Sequence, residues 1–292
     1  MFPLVTLVLA LLPGQNLTSE SPGSAAESIP NLSSHTVVFS VDDGYHSVFT
    51  NIYPLLRKYR MTMTLALIVD YVGPGKRPSY RPAARFMNQA EVQELIDSCG
   101  IEVASHSMSH PFLTRLDSTK AWTEISQSKQ VLESLFGTEV ITFVYPYGDM
   151  NTRIRRMTKQ AGYRLGRAVV PGEPNLWLEP YRLPTLELRR ETNLADVKRT
   201  IARRRTTILL LHQIVASPSS FTEWNLADFE RLLEWMAATR VRVITLAQLY
   251  REWWFEKLGR MMQQMAAAYP DRRKQLLFEE VNVDATGTNY PR

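Results

Sequence analysis

The side chains best suited to chemistry gather at the ends of apolar segments. Phe39-Ser40-Val41-Asp42-Asp43-Gly44 closes a β-branched run with two adjacent carboxylates. Like charges side by side at the end of a buried strand are costly, and a cation is the usual relief. Successive side chains of an extended chain point to opposite faces, so one aspartate can hold a metal while its neighbour faces another target. Asp-Asp-Gly is also good turn chemistry, and this segment alone does not decide between the two.

A second cluster is Ala104-Ser105-His106-Ser107-Met108-Ser109-His110-Pro111. The chain has five histidines, and two of them stand here four apart. That spacing is common among metal ligands on a helix, although Pro111 disfavours helix at His110 and favours a tight loop. Two histidines and one carboxylate leave coordination positions open, which points to a catalytic rather than a structural site. Zinc or another first-row divalent ion suits such donors. His212 ends the most apolar run, Leu209-Leu210-Leu211. It reads as a core histidine or, at the same strand ends as the metal ligands, as a general acid. Phe143-Val144-Tyr145-Pro146-Tyr147-Gly148-Asp149 is a rigid aromatic loop. It could wall a groove and aim a backbone N–H at a reacting oxygen, or serve only as a turn.

These segments need a scaffold that brings strand ends together. Strand-like and helix-like stretches alternate from His35 onward. Strands are expected at Thr36–Val41, Met61–Val69, Ile101–Ala104, Val140–Val144, Tyr163–Val169, Thr206–Leu211 and Val241–Thr245. Helices are expected at Val48–Tyr59, Gln89–Ser98, Ser118–Phe136, Asn151–Ala161 and Leu226–Ala238. Such alternation predicts a parallel sheet with crossover helices, and about seven units fit a barrel better than a short open sheet. In a parallel barrel, active sites form at the C-terminal ends of the strands. There is no Gly-rich dinucleotide fingerprint and no phosphate loop, which counts against nucleotide chemistry.

Composition sets the remaining bounds. Hydrophobic residues at 45% and charged residues at 22% permit a sizeable core. The net charge of +5 comes from scattered basic pairs without an interleaved aromatic code, so nucleic acid is not an expected partner. A single cysteine, Cys99, excludes an intramolecular disulfide. Met1–Leu12 is almost wholly apolar, and a Ser/Pro/Gly/Ala-rich stretch follows it. This looks like an export signal and linker, giving an expected extracellular, periplasmic or envelope location with no integral span in the mature chain. Residues 1–34 are thus read as leader and linker, 35–250 as the catalytic domain, and 251–292 as a C-terminal helix and polar tail.

Taken together, the motifs resemble the polysaccharide deacetylase family, also known as the NodB-homology domain or carbohydrate esterase family four. Ser40-Val41-Asp42-Asp43-Gly44 matches its first motif, His106-Ser107-Met108-Ser109-His110-Pro111 its second, and Leu210-Leu211-His212 its last. Order and spacing agree over roughly Thr36 to Tyr250. The resemblance implies a distorted (β/α)7 barrel, an α/β fold. It implies a divalent metal on Asp43, His106 and His110, with Asp42 as general base and His212 as general acid. It also implies that the Tyr147 backbone N–H helps hold the oxyanion, with Tyr145 beside it. The family's usual arginine before the aromatic loop is replaced here by Val144, a form that looks like the branch acting on exported poly-N-acetylglucosamine. Arg182 is the expected substitute for that arginine, and Trp177 and Trp224 are candidates either to wall the sugar site or to pack in the core.

The expected activity is removal of N-acetyl groups from an N-acetylglucosamine-containing polysaccharide. The alternatives are an O-acetyl esterase, a cyclic-amide hydrolase, or a catalytically silent carbohydrate-binding barrel.

Overall fold

Six consecutive buried residues, Thr36–Val41, form β1 at the centre of a parallel sheet. The computed structural model describes residues 30–73 and 84–268, which from Asn31 onward form one unit. The leader-like segment Met1–Leu12, the Pro/Gly-rich loop beyond Gly73 and the tail from Asp284 lie outside the described residues. The chain continues through α1 (Tyr53–Tyr59), β2 (Thr64–Leu67), α2 (Gln89–Cys99), β3 (Glu102–Ser105) and α3 (Ser118–Phe136). It goes on through β4 (Thr142–Val144), α4 (Thr152–Gln160), β5 (Leu165–Arg167), β6 (Leu186–Glu187), α5 (Leu194–Arg203) and β7 (Thr206–Leu211). The last elements are β8 (Gln213–Val215), β9 (Glu223–Asn225), α6 (Leu226–Thr239), β10 (Arg242–Val243) and α7 (Leu246–Ala268).

The main sheet runs β5-β4-β3-β2-β1-β7-β6, all parallel, and β10 pairs with the start of β1. The seven strands curl until the two ends of the sheet meet. The segment leading into β6 hydrogen-bonds to β5 and its extension: Leu183 N donates to Gly166 O at 2.8 Å, Ala168 N to Leu183 O at 3.0 Å, and Thr185 N to Val170 O at 2.9 Å. The fold is therefore the expected distorted (β/α)7 barrel. Strands buried on both faces read as continuous apolar runs, which is why β7, Thr-Thr-Ile-Leu-Leu-Leu, was legible from sequence alone.

Helix ends carry local signals. Asn88 and Glu91 form a reciprocal capping box at the start of α2, and Gly100 closes that helix in the left-handed conformation. Cys99 is its last residue, half-buried, with burial raising its thiol pKa.

One buried carboxylate organises the N-terminal end of the barrel. Glu102, on β3, accepts from Thr64 Oγ1 at 2.7 Å, from Thr142 Oγ1 at 2.5 Å and from the backbone N–H of Ala247 at 2.8 Å. It thereby ties β2, β3 and β4 to the first turn of α7. Burial, its largest influence, raises its pKa. Glu102→Ala would leave three donors without an acceptor and should cost about 3 kcal/mol in urea unfolding. Glu102→Gln, which keeps an accepting oxygen, should cost clearly less. Equal losses for the two variants would sink the network account.

Candidate active site

The residues singled out at strand ends converge. Asp42 and Asp43 follow β1, His106 and His110 follow β3, and His212 follows β7. All five line one cleft of about 290 Å³, together with Tyr147, Glu187, Arg189 and Phe221.

Three donor atoms face one another at its floor. Asp43 Oδ1 lies 3.4 Å from His106 Nε2 and 3.6 Å from His110 Nε2, and the two Nε2 atoms are 3.1 Å apart. His106 Nδ1 is 2.8 Å from the Val144 carbonyl oxygen. That contact requires the proton on Nδ1 and leaves the Nε2 lone pair facing the cluster, the outer-shell arrangement that orients a ligating histidine. Asp43 Oδ1 is buried without a hydrogen-bond partner among the described residues. Burial pushes the Asp43 carboxyl up, but the His106 ring nitrogen beside it and the surrounding histidines outweigh it and hold the group well below the usual carboxylate range. Burial, reinforced by His106, holds the His110 imidazole down at about 4, so it is neutral at ordinary pH. A carboxylate and two imidazoles whose ligand atoms converge fit a divalent cation.

The backbone here is held in an uncommon conformation. Asp43, Ser107, His110 and Tyr147 all have positive φ, between 59° and 71°. The other two such non-glycine residues among the described residues, Arg60 and Arg240, merely end helices. Non-glycine left-handed residues concentrated at one site signal geometry that the surrounding packing enforces. Gly44 completes the turn: at φ 78° a Cβ there would stand 2.7 Å from Leu67 Cδ2.

Asp42 sits between the triad and a different partner. Its Oδ1 accepts from Arg167 Nη2, and its Oδ2 is 3.7 Å from His106 Nε2. Arg167 is fully buried, at the end of β5. Arg182, the expected partner of Asp42, instead pairs with Glu179 at 2.8 Å on a half-exposed surface. It lies in the segment leading to β6 that closes the barrel, whereas Arg167 projects from β5 directly at Asp42. The missed signal was an arginine within the otherwise apolar strand Leu165-Gly166-Arg167: a charge that deep requires a counter-charge.

The aromatic loop divides in two. Tyr145 borders the cleft, but its side chain points inward. It is buried in the core, packed over Gly166, where a Cβ would stand 2.5 Å from its hydroxyl, and it donates to the Tyr181 carbonyl at 3.1 Å. Tyr147 stands on the cleft wall. Its ring stacks on Phe112 at 4.0 Å and leans over His110 at 4.4 Å. Trp224 is a core residue whose Nε1 donates to the Thr192 carbonyl at 3.0 Å. Trp177 packs edge-on to Trp253 away from the cleft. His212 Nδ1 is buried with no partner among the described residues, so no carboxylate there fixes its tautomer.

With this geometry in view, the comparisons with known proteins agree. The polysaccharide deacetylase family model matches residues 30–166. The chain is 30% identical over 124 residues to the peptidoglycan-N-acetylmuramic acid deacetylase of Bacillus subtilis, covering 42% of this chain and 24% of that protein. It is 23% identical over 156 residues to a poly-β-1,6-N-acetyl-D-glucosamine N-deacetylase of Staphylococcus aureus, covering 49% and 52%. The chain thus spans about half, or less, of the length of these relatives. In fold it is similar to the esterase domain of a multidomain xylanase from the hindgut metagenome of Trinervitermes trinervoides, with a TM-score of 0.52 and 17% identity over 75% of this chain and 90% of that one. Over residues 30–166 the chain is thus similar to polysaccharide deacetylases, and the matched stretch carries Asp42, Asp43, His106 and His110.

Proposed function

We propose that the protein is a metal-dependent hydrolase that removes N-acetyl groups from an N-acetylglucosamine-containing polysaccharide, releasing acetate. The observation that carries this reading is the pairing of two adjacent aspartates with different partners. Asp43 turns to two histidines, and Asp42 to a buried arginine beside them. Mere glycan binding needs no such division.

A divalent cation on Asp43, His106 and His110, for which zinc is the proposed ion, would supply Lewis acidity toward the acetyl carbonyl oxygen. The protein's own groups do the rest. Asp42 takes the proton of the attacking water, and Arg167 keeps it oriented. The backbone N–H of Tyr147, presented from its left-handed turn, faces the oxygen that becomes negative. His212 protonates the departing amine nitrogen, so that one water and one acetamide yield acetate and a free amino sugar. Glu187 and Arg189 close the far wall as a neutral pair. No helix among the described residues is long and apolar enough to cross a membrane, and the apolar start of the chain supports export to the envelope or beyond.

The test is acetate release across a panel of N-acetylated glycans, acetylxylan and cyclic amides, with and without chelator. Asp42→Asn should keep the metal and lower turnover by about a hundredfold or more. Normal turnover by that variant would overturn the mechanism, and preference for acetylxylan or a cyclic amide would overturn the substrate.

A further inference from the structure

The cleft, at about 290 Å³, sits at the small end of ligand-sized sites. It has room for one sugar and its acetamide, so the rest of a polymer must lie on the lips.

One lip carries a platform. Phe221 is 57% exposed at the edge of the cleft, on the loop between β8 and β9. The Arg189 guanidinium lies 4.1 Å from the centroid of its ring. Arg189 is anchored by donation to Glu187 at 2.5 Å, yet its Nε is buried with no acceptor among the described residues. The loop itself is pinned. Arg190 donates from its backbone to Phe221 O at 3.2 Å and from Nη1 to Ser219 O at 2.9 Å, and Glu223 accepts from the N–H groups of Ser219 and Ser220. An exposed aromatic ring held this firmly is pre-organised for a partner.

The opposite lip differs. There Phe112 lies between Tyr147 on one side and Arg115, at 4.1 Å, on the other. Both of its faces are covered, and it offers only an edge. The two lips stand on opposite sides of β1 in the sheet order, after β3 and β4 on one side and after β6 and β7 on the other.

The geometry points to a sugar-binding subsite at Phe221 and Arg189. Phe221, backed on one face by Arg189, stacks its open face against the apolar face of the sugar adjoining the one that loses its acetyl group. Glu187 balances the arginine's charge, so the subsite fits an uncharged ring. The protein accordingly favours a chain of at least two residues, extended toward β6 and β7. This inference rests on the deacetylase reading for its choice of ligand.

Binding and turnover separate the two. Calorimetry with the Asp42→Asn protein and N-acetylglucosamine or its β-linked oligomers reads the subsite without chemistry. Affinity should rise from mono- to disaccharide. Phe221→Ala in that background should remove about tenfold of it, and Phe221→Tyr should restore it. Arg189→Lys, which keeps the charge but loses the planar group that backs the Phe221 ring, should also weaken the disaccharide. Equal disaccharide affinity with and without the Phe221 ring would overturn the subsite, as would an absence of any gain from mono- to disaccharide. Failure of the active protein to release acetate from any glycan, with this binding pattern intact, would instead overturn the deacetylase reading alone.

Discussion

Arg167→Ala should lower kcat by about a hundredfold or more while leaving KM and metal content close to those of the parent. Asp42 would then be a buried carboxylate with its counter-charge gone, free to turn or to take up a proton. The same change should destabilise the fold by about 3 kcal/mol or more, since breaking a buried pair leaves one charge uncompensated. Arg167→Lys should recover part of the activity, because a lysine restores the charge but not the planar fork. A paired replacement separates position from stability. Asp42→Asn with Arg167→Met removes both charges and should regain much of the lost stability, yet remain inactive. Arg182→Ala should stay near the parent in both measures, since its partner is the half-exposed Glu179. An active, stable Arg167→Ala protein would refute the orienting role.

The second large effect concerns the triad. Asp43→Ala or His106→Ala should abolish metal retention and reduce activity by about a thousandfold or more, as loss of Lewis-acid assistance implies. Chelation should do the same to the parent, and zinc should restore it. Metal at a hundred times its dissociation constant should add about 2.7 kcal/mol of stability to the parent and nothing to either variant. Full metal occupancy in Asp43→Ala, by elemental analysis, would refute the ligand set. The sign of the pH dependence follows from His110, whose folded value near 4 lies below its ordinary 6.5. The unfolded chain therefore takes up that proton first, so stability present above about pH 6.5 is lost progressively as pH falls toward about 4. Thermal melts of the metal-free protein across that window check it.

How much of this was legible in the sequence depended on where each signal resided. Asp42, Asp43, His106, His110 and His212 stand in short segments where a polar group interrupts an apolar run, so local pattern exposes them. The helix over Ser118–Phe136 and the strand over Thr206–Leu211 were readable to the residue, one closed by Gly137 and the other marked by its uninterrupted β-branched and apolar run. Arg167 was missed because its meaning is wholly non-local: its partner lies 125 residues earlier. The closure of the barrel through Leu183–Thr185 left no trace either, since Pro184 and Thr185 suggest a loop. The helix over Leu194–Arg203 had a signal that went unused: Asn193 caps it, and Leu194, Val197 and Ile201 share one face. Tyr145 and Tyr147 stand two apart in one motif, and only the left-handed turn between them sends one inward and the other to the cleft.

The charge pair between Asp42 and Arg167 also bears on how the molecule comes into being. Its two ends belong to β1 and β5, with β2, β3 and β4 between them in the sheet. While the chain is being synthesised, the aspartate emerges early and waits for more than a hundred residues before its arginine exists. Contacts of such separation carry the heaviest loop-closure entropy. The setting of Asp42 is thus coupled to completion of the ring: a chain that ends before β5 carries Asp42, Asp43, His106 and His110 but not the arginine that pairs with Asp42.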